Sequence, residues 1–135
     1  MIALDSGVLL AVTDFTHPQH ATARDTLRAL PPTERLMVSP FAYAELMASP
    51  QRDTLSTLLE RAGILLLEEM PLSAYRAAGE ARGGGEVGRG SLRLSSASFV
   101  GAHALHHRAR LLTLEGETFT ALYPSLPLVG VGQFG

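Results

Sequence analysis

The chain has no cysteine and no lysine. The first absence excludes disulfides and thiolate metal sites and leaves the redox compartment open. The second makes all 11 basic residues arginine. A guanidinium suits bidentate phosphate contact, but a biased genome composition accounts for the preference as simply. An excess of charge is missing too. Thirteen acidic residues against 11 basic ones leave a net charge of −2, which gives no global pull toward nucleic acid. The apolar run from Val8 to Val12 falls far short of the ~20 residues that span a bilayer, and no basic segment with a long apolar stretch opens the chain. What is present is 46% hydrophobic residues among 135, enough to bury a core in one domain covering 1–135. A soluble cytoplasmic protein is the expectation.

Short apolar runs alternate with helical segments, the pattern of a parallel sheet covered on both faces. Strands are expected at 2–4, 36–38, 64–67, 111–113 and 128–131. Helices are expected at 6–12, 17–30, 41–48, 54–62, 72–82 and 95–107, with a short helical turn at 118–122. Ala21, Leu27 and Leu30 mark the apolar face of the second helix, which Pro31-Pro32 ends. Ser39 followed by Pro40 reads as an N-cap with proline at the first helical position. Gly63 closes the helix after that, at 54–62. The glycine-rich residues 83–90 read as a mobile loop. The class is α/β, with about five strands, helical crossovers, no repeat and no second domain.

Three carboxylates stand nearly alone. Asp5 is the only charge among the first 13 residues. It falls where the first strand ends, and ligand groups of open parallel sheets gather at such ends. It reads equally as the N-cap of the next helix, a role Ser6 can also fill. Glu45 is the only charge between Ser39 and Pro50, with Phe41, Ala42 and Ala48 at i−4, i−3 and i+3. That places it on an apolar stripe, a setting that argues against exposure. A buried carboxylate needs a partner, either a divalent cation or an arginine; a chance surface position is the third explanation. Glu115 comes two residues after the fourth strand and reads as a site carboxylate or as a helix-start one; Glu117 reads as a solvated turn residue. Hard oxygen donors beyond strand ends suit Mg²⁺ or Mn²⁺.

These residues resemble the PIN domains, in particular the VapC-like toxins of bacterial toxin–antitoxin pairs. The carriers are Ile2-Ala3-Leu4-Asp5-Ser6-Gly7-Val8-Leu9-Leu10, then Ser39-Pro40-Phe41-Ala42-Tyr43-Ala44-Glu45-Leu46, then Phe99-Val100-Gly101-Ala102-His103-Ala104 and Leu111-Leu112-Thr113-Leu114-Glu115, followed by Phe119 and Tyr123-Pro124-Ser125-Leu126. Their order and spacing extend the resemblance over essentially the whole chain. It implies a three-layer α/β/α fold with a central parallel sheet of about five strands. It also implies a Mg²⁺- or Mn²⁺-dependent ribonuclease acting on single-stranded or structured RNA, a homodimer, and an antitoxin partner. In the family's pattern the first Asp falls on Asp5, the second acidic residue on Glu45, and the fourth on Glu115, where Glu replaces the usual Asp. By that resemblance these three are the catalytic and metal-binding residues.

The third acidic position is where the sequence departs. It falls on Ala97, or on Ser98 with a slip of one residue, and no Asp or Glu occurs between Val87 and Leu114. Losing one ligand of about four weakens metal binding, although Mg²⁺ accepts water in place of a carboxylate. A hydroxyl from Ser95, Ser96 or Ser98 can orient such a water. The expectation is impaired metal affinity, with activity between reduced and absent. The alternative is a catalytically degenerate PIN domain that binds RNA or an antitoxin.

Other features weigh less. His103 and His107 have an i, i+4 spacing that can bind metal, but packing or surface roles are favoured. Gly83, Gly85 and Gly88 match G-x-G-x-x-G yet follow a helix rather than a strand, against a dinucleotide site. No phosphate-binding loop follows the first strand, against a flavodoxin-like nucleotide binder. Arg82, Arg89 and Arg93, and similarly Arg108 and Arg110, are candidates for phosphate contact or simple solvation. Leu9, Leu10, Val12, Leu55, Leu58 and Leu59 pack in the core or serve a dimer or antitoxin surface.

Overall fold

A computed structural model of the chain describes residues 1–83 and 94–130. Strands β1 (Ile2–Leu4), β2 (Leu36–Val38), β3 (Leu65–Leu66), β4 (Arg110–Thr113) and β5 (Leu128–Gly130) form one sheet in the order β3-β2-β1-β4-β5. Every pairing is parallel. Seven helices alternate with them among the described residues: α1 (Ser6–Thr13), α2 (His20–Ala29), α3 (Pro40–Met47), α4 (Arg52–Arg61), α5 (Leu72–Gly83), α6 (Ser96–His106) and α7 (Gly116–Leu122). This is the three-layer α/β/α architecture expected from the alternation of apolar runs and helical segments. The central strand, Ile2-Ala3-Leu4, is buried throughout, as a strand covered on both faces must be.

The strand order fixes where a site belongs. From β1 the chain adds β2 and β3 on one side, then crosses to place β4 and β5 on the other. The crevice beyond the carboxyl ends of β1 and β4 is therefore the topological switch point, the place where open α/β sheets bind ligands.

Local chemistry sets several boundaries. Ser39 caps α3 by accepting the Ala42 N–H at 3.1 Å, with Pro40 opening the helix. Gly63, at φ +66°, ends α4 with its N–H on the Glu60 carbonyl, while the Ile64 N–H reaches back to Leu59. That pair of bonds is a Schellman closure, which favours glycine at the left-handed position. Other boundaries differ from expectation. The second helix starts at His20 rather than 17 because residues 14–19 are held in their own turns: Asp14 Oδ1 accepts from both the N–H and the hydroxyl of Thr16. Its buried residues are Ala23 and Thr26, with Leu30 just beyond, whereas Ala21 is exposed. β3 keeps only two of four expected residues, an edge strand with β2 as its one partner. Of the stretch expected as a loop at 83–90, Gly83 ends α5 and the rest lies outside the described residues, as do Val131, Arg89, Arg93 and the Arg82 side chain.

The apolar surplus goes into the core. Leu9 and Leu55 are wholly buried, and Leu10, Val12, Leu58 and Leu59 pack against them partly buried. Arg110 begins β4 at the amino-terminal edge of the sheet and pairs with Glu34 at 3.5 Å, so it lies at the end opposite the crevice. Arg108, at φ +55°, lies in the turn between α6 and β4. No helix among the described residues is long and apolar enough to cross a membrane.

His103 is wholly buried, and its Nε2 meets the Leu67 carbonyl at 2.7 Å, which ties α6 to the segment after β3. His107 makes the same kind of contact to the Glu69 carbonyl at 2.9 Å. Burial lowers the affinity of His103 for a proton, and the neighbouring His107 and His106 add to this, against the bond to Leu67. The unfolded chain therefore takes up this proton first. Stability from neutral His103 is fully present above the ordinary value of about 6.5 and is lost as pH falls below it. We expect Tm to fall from pH 7.5 to 5.5 in calorimetric scans, and to fall less in His103→Gln, whose amide can still donate to Leu67.

Candidate functional site

Asp5 follows β1 and does two things at once. Its Oδ1 accepts the Ser6 N–H at 3.0 Å, capping α1, and its Oδ2 accepts the Thr113 hydroxyl at 2.9 Å. Thr113 is the last residue of β4, and its hydroxyl oxygen also accepts the Glu115 N–H at 2.9 Å. One buried threonine thus links the ends of the two strands that border the switch point. Nothing in the sequence marks Thr113 beyond its place at a strand end.

Glu45 enters from α3. Its Oε1 accepts the Ser6 hydroxyl at 3.1 Å and its Oε2 the Ser96 hydroxyl at 3.2 Å. The rings of Phe41 and Phe99 stack with centroids 4.7 Å apart and so hold α3 against α6. Glu45 is exposed, contrary to the expectation from its apolar neighbours. The buried face of α3 is Ala42 and Leu46, one turn apart, and Glu45 flanks that stripe at the rim of the crevice. Glu115 is exposed as well. It sits at the N-cap position of α7 but makes no capping bond, and its carboxylate has no ion pair among the described residues.

All three carboxylates line one cleft of about 380 Å³, together with Ser96, Ala97 and His17. Ala97 lines the cleft, whereas Ser98 is wholly buried and its carbonyl accepts the Tyr123 hydroxyl at 2.6 Å. A carboxylate added at Ala97 would enter the cleft, and one added at Ser98 would enter the core.

The electrostatics follow from this crowding. Burial pushes the Asp5 carboxyl above the ordinary carboxylate value; Glu115 and Glu45 push the same way, and the bonds from Thr113 and Ser6 oppose them. None of the three carboxylates is ion-paired among the described residues. A set of hard oxygen donors without a counter-cation fits a divalent cation. The fit is incomplete, because no three His, Cys, Asp or Glu among the described residues are grouped closely enough to hold a metal ion.

A raised carboxyl means that the folded protein holds this proton more tightly than the unfolded chain does. Stability is then lost as pH rises from the ordinary carboxylate range through the folded value, and ionised Asp5 is a cost at neutral pH. Asp5→Asn keeps the cap and removes the charge. We expect it to raise Tm at pH 7 by a few degrees, on the order of 1 kcal/mol, measured by calorimetry without added metal.

Comparison with known proteins agrees with this architecture. The model of the PIN domain family matches residues 2–123. No curated protein matches the chain. Among solved structures, VapBC2 from Rickettsia felis, bound to a DNA fragment from its promoter, superposes with a TM-score of 0.69 at 19% identity, covering 96% of this chain and 98% of that one. VapBC-1 from nontypeable Haemophilus influenzae gives 0.68 at 22% identity, over 98% and 100%. FitAcB from Neisseria gonorrhoeae gives 0.65 at 20%, over 95% and 96%. With its parallel sheet, its cleft at the switch point and a family match over nearly its whole length, the chain belongs to the PIN-domain family.

Proposed function

We propose that the chain is a metal-dependent ribonuclease of the PIN type and the toxin component of a toxin–antitoxin pair, with activity reduced by the loss of one acidic ligand. The observation that carries this reading is the convergence of Asp5, Glu45 and Glu115 on one cleft at the switch point. These three would hold Mg²⁺ or Mn²⁺, which when bound polarises a phosphate and lowers the pKa of an attacking water. Ser6 and Thr113 fix the Asp5 carboxylate, and Ser6 and Ser96 fix that of Glu45, so two of the three carboxylates are held in place while the third must move to complete a grouped set. The similar VapBC and FitAcB structures support a protein partner of the antitoxin kind, and to the same proposal belong a homodimer, which the family resemblance implies, and a cytoplasmic location.

A second reading is favoured by Ala97 in the cleft and by the absence of a grouped ligand set among the described residues. In it the domain is catalytically degenerate and binds RNA or an antitoxin. Incubating single-stranded RNA with Mn²⁺ or Mg²⁺ separates the two. Slow cleavage that Asp5→Asn reduces by about two orders of magnitude or more supports the ribonuclease. Cleavage unchanged in Asp5→Asn contradicts it, and binding without cleavage under either metal selects the degenerate domain.

A further inference from the structure

Resting on the reading of the cleft as an RNA site, we propose that His17 is a substrate-contacting residue whose Nε2–H donates to a phosphate oxygen of the bound strand. His17 lines the same cleft as Asp5, Glu45 and Glu115 and is half-buried there. A phosphodiester entering between three carboxylates needs donors, and few are free. The hydroxyls of Ser6 and Ser96 are both committed to Glu45. Among the described residues lining the cleft, His17 is the one with a nitrogen-bearing side chain.

Its tautomer is set by its own turn. The Gln19 N–H donates to His17 Nδ1 at 3.0 Å, so Nδ1 is an acceptor and the proton of the neutral ring sits on Nε2. A histidine that ligates metal through one nitrogen usually donates its other N–H to an acceptor. His17 has the reverse arrangement, which suits a phosphate oxygen and not a cation. The backbone is fixed as well: the His17 N–H donates to the Asp14 carbonyl at 3.0 Å, and the His17 carbonyl accepts from the His20 N–H at 3.0 Å.

The test uses the full chain and a fluorescently labelled single-stranded RNA in chelator, read by anisotropy, with Mn²⁺ titrated separately by calorimetry. His17→Ala should weaken RNA binding by about three- to tenfold, the loss of one hydrogen bond. His17→Gln, which restores an N–H at similar reach, should stay within about twofold of wild type. His17→Asn can still accept the Gln19 N–H as an Asx turn but lacks that reach, so it should bind as weakly as His17→Ala. All three should keep the Mn²⁺ affinity of wild type. RNA binding by His17→Ala as tight as that of wild type overturns the inference, as does a loss of Mn²⁺ affinity, which would make His17 a ligand. Failure of the wild type itself to bind RNA, both in chelator and with Mn²⁺ added, overturns the functional reading and this inference with it, and is seen before any variant is compared.

Discussion

Gly101→Ala is expected to destabilise the protein by roughly 2 kcal/mol, a fall of about 5–8 °C in Tm for a domain of this size. Gly101 lies in the middle of α6, where alanine would ordinarily be the better helix former. Here a Cβ would overlap the Cδ2 and Cε2 edge of the Tyr123 ring. The ring cannot easily retreat. Tyr123 is buried, its hydroxyl is bonded to the Ser98 carbonyl, and burial pushes its phenol up to about 12. Tyr123 thus lies against α6 where a side chain at 101 would project, and its hydroxyl anchors the first turn of the helix that borders the cleft. Tyr123→Leu in the Gly101→Ala background should recover part of the loss, a coupling that a double-mutant cycle measures. Additive losses would show that the clash is not the cause.

Ala97→Asp is expected to tighten Mn²⁺ binding by roughly tenfold or more, the scale on which ligand charge and support tune such sites. Position 97 lies in the first turn of α6, behind the N-cap Ser95, where a carboxylate also interacts favourably with the helix dipole. Without metal the added charge meets Asp5, Glu45 and Glu115 across the cleft and opposes stability. With metal the sign reverses, so Mn²⁺ should raise the Tm of Ala97→Asp by more than that of wild type. Ser98→Asp makes the contrast. It buries a carboxylate beneath Tyr123 and should unfold the protein rather than equip it. Equal Mn²⁺ affinity for wild type and Ala97→Asp would contradict the view that this position is the missing ligand.

Much of the fold was legible because it rests on local rules. Ser39-Pro40 and Gly63 declare a helix start and a helix stop through backbone bonds made by neighbours in sequence. The three carboxylates were legible as isolated charges beyond strand ends, and all three reach one cleft. Exposure was misjudged for Glu45, since apolar neighbours at i−4 and i−3 do not say which side of the stripe faces out; that depends on how α3 packs against α6. Thr113 and Ser6 could not be read as site residues because their roles are contacts across 108 and 39 residues of sequence. His17 was hidden differently. The pattern puts it in a helix that in the structure begins at His20, and it lies instead in a turn whose Gln19 N–H bonds its ring.

The central claim is that the cleft is a nuclease site with one ligand missing. The most direct measurement is the rate of single-stranded RNA cleavage at saturating Mn²⁺ for wild type, Ala97→Asp and the double variant Asp5→Asn/Ala97→Asp. Cleavage should be slow in wild type, about tenfold or more faster in Ala97→Asp, and abolished in the double variant. A rate in Ala97→Asp no greater than wild type, with the protein folded and Mn²⁺ bound, would contradict it.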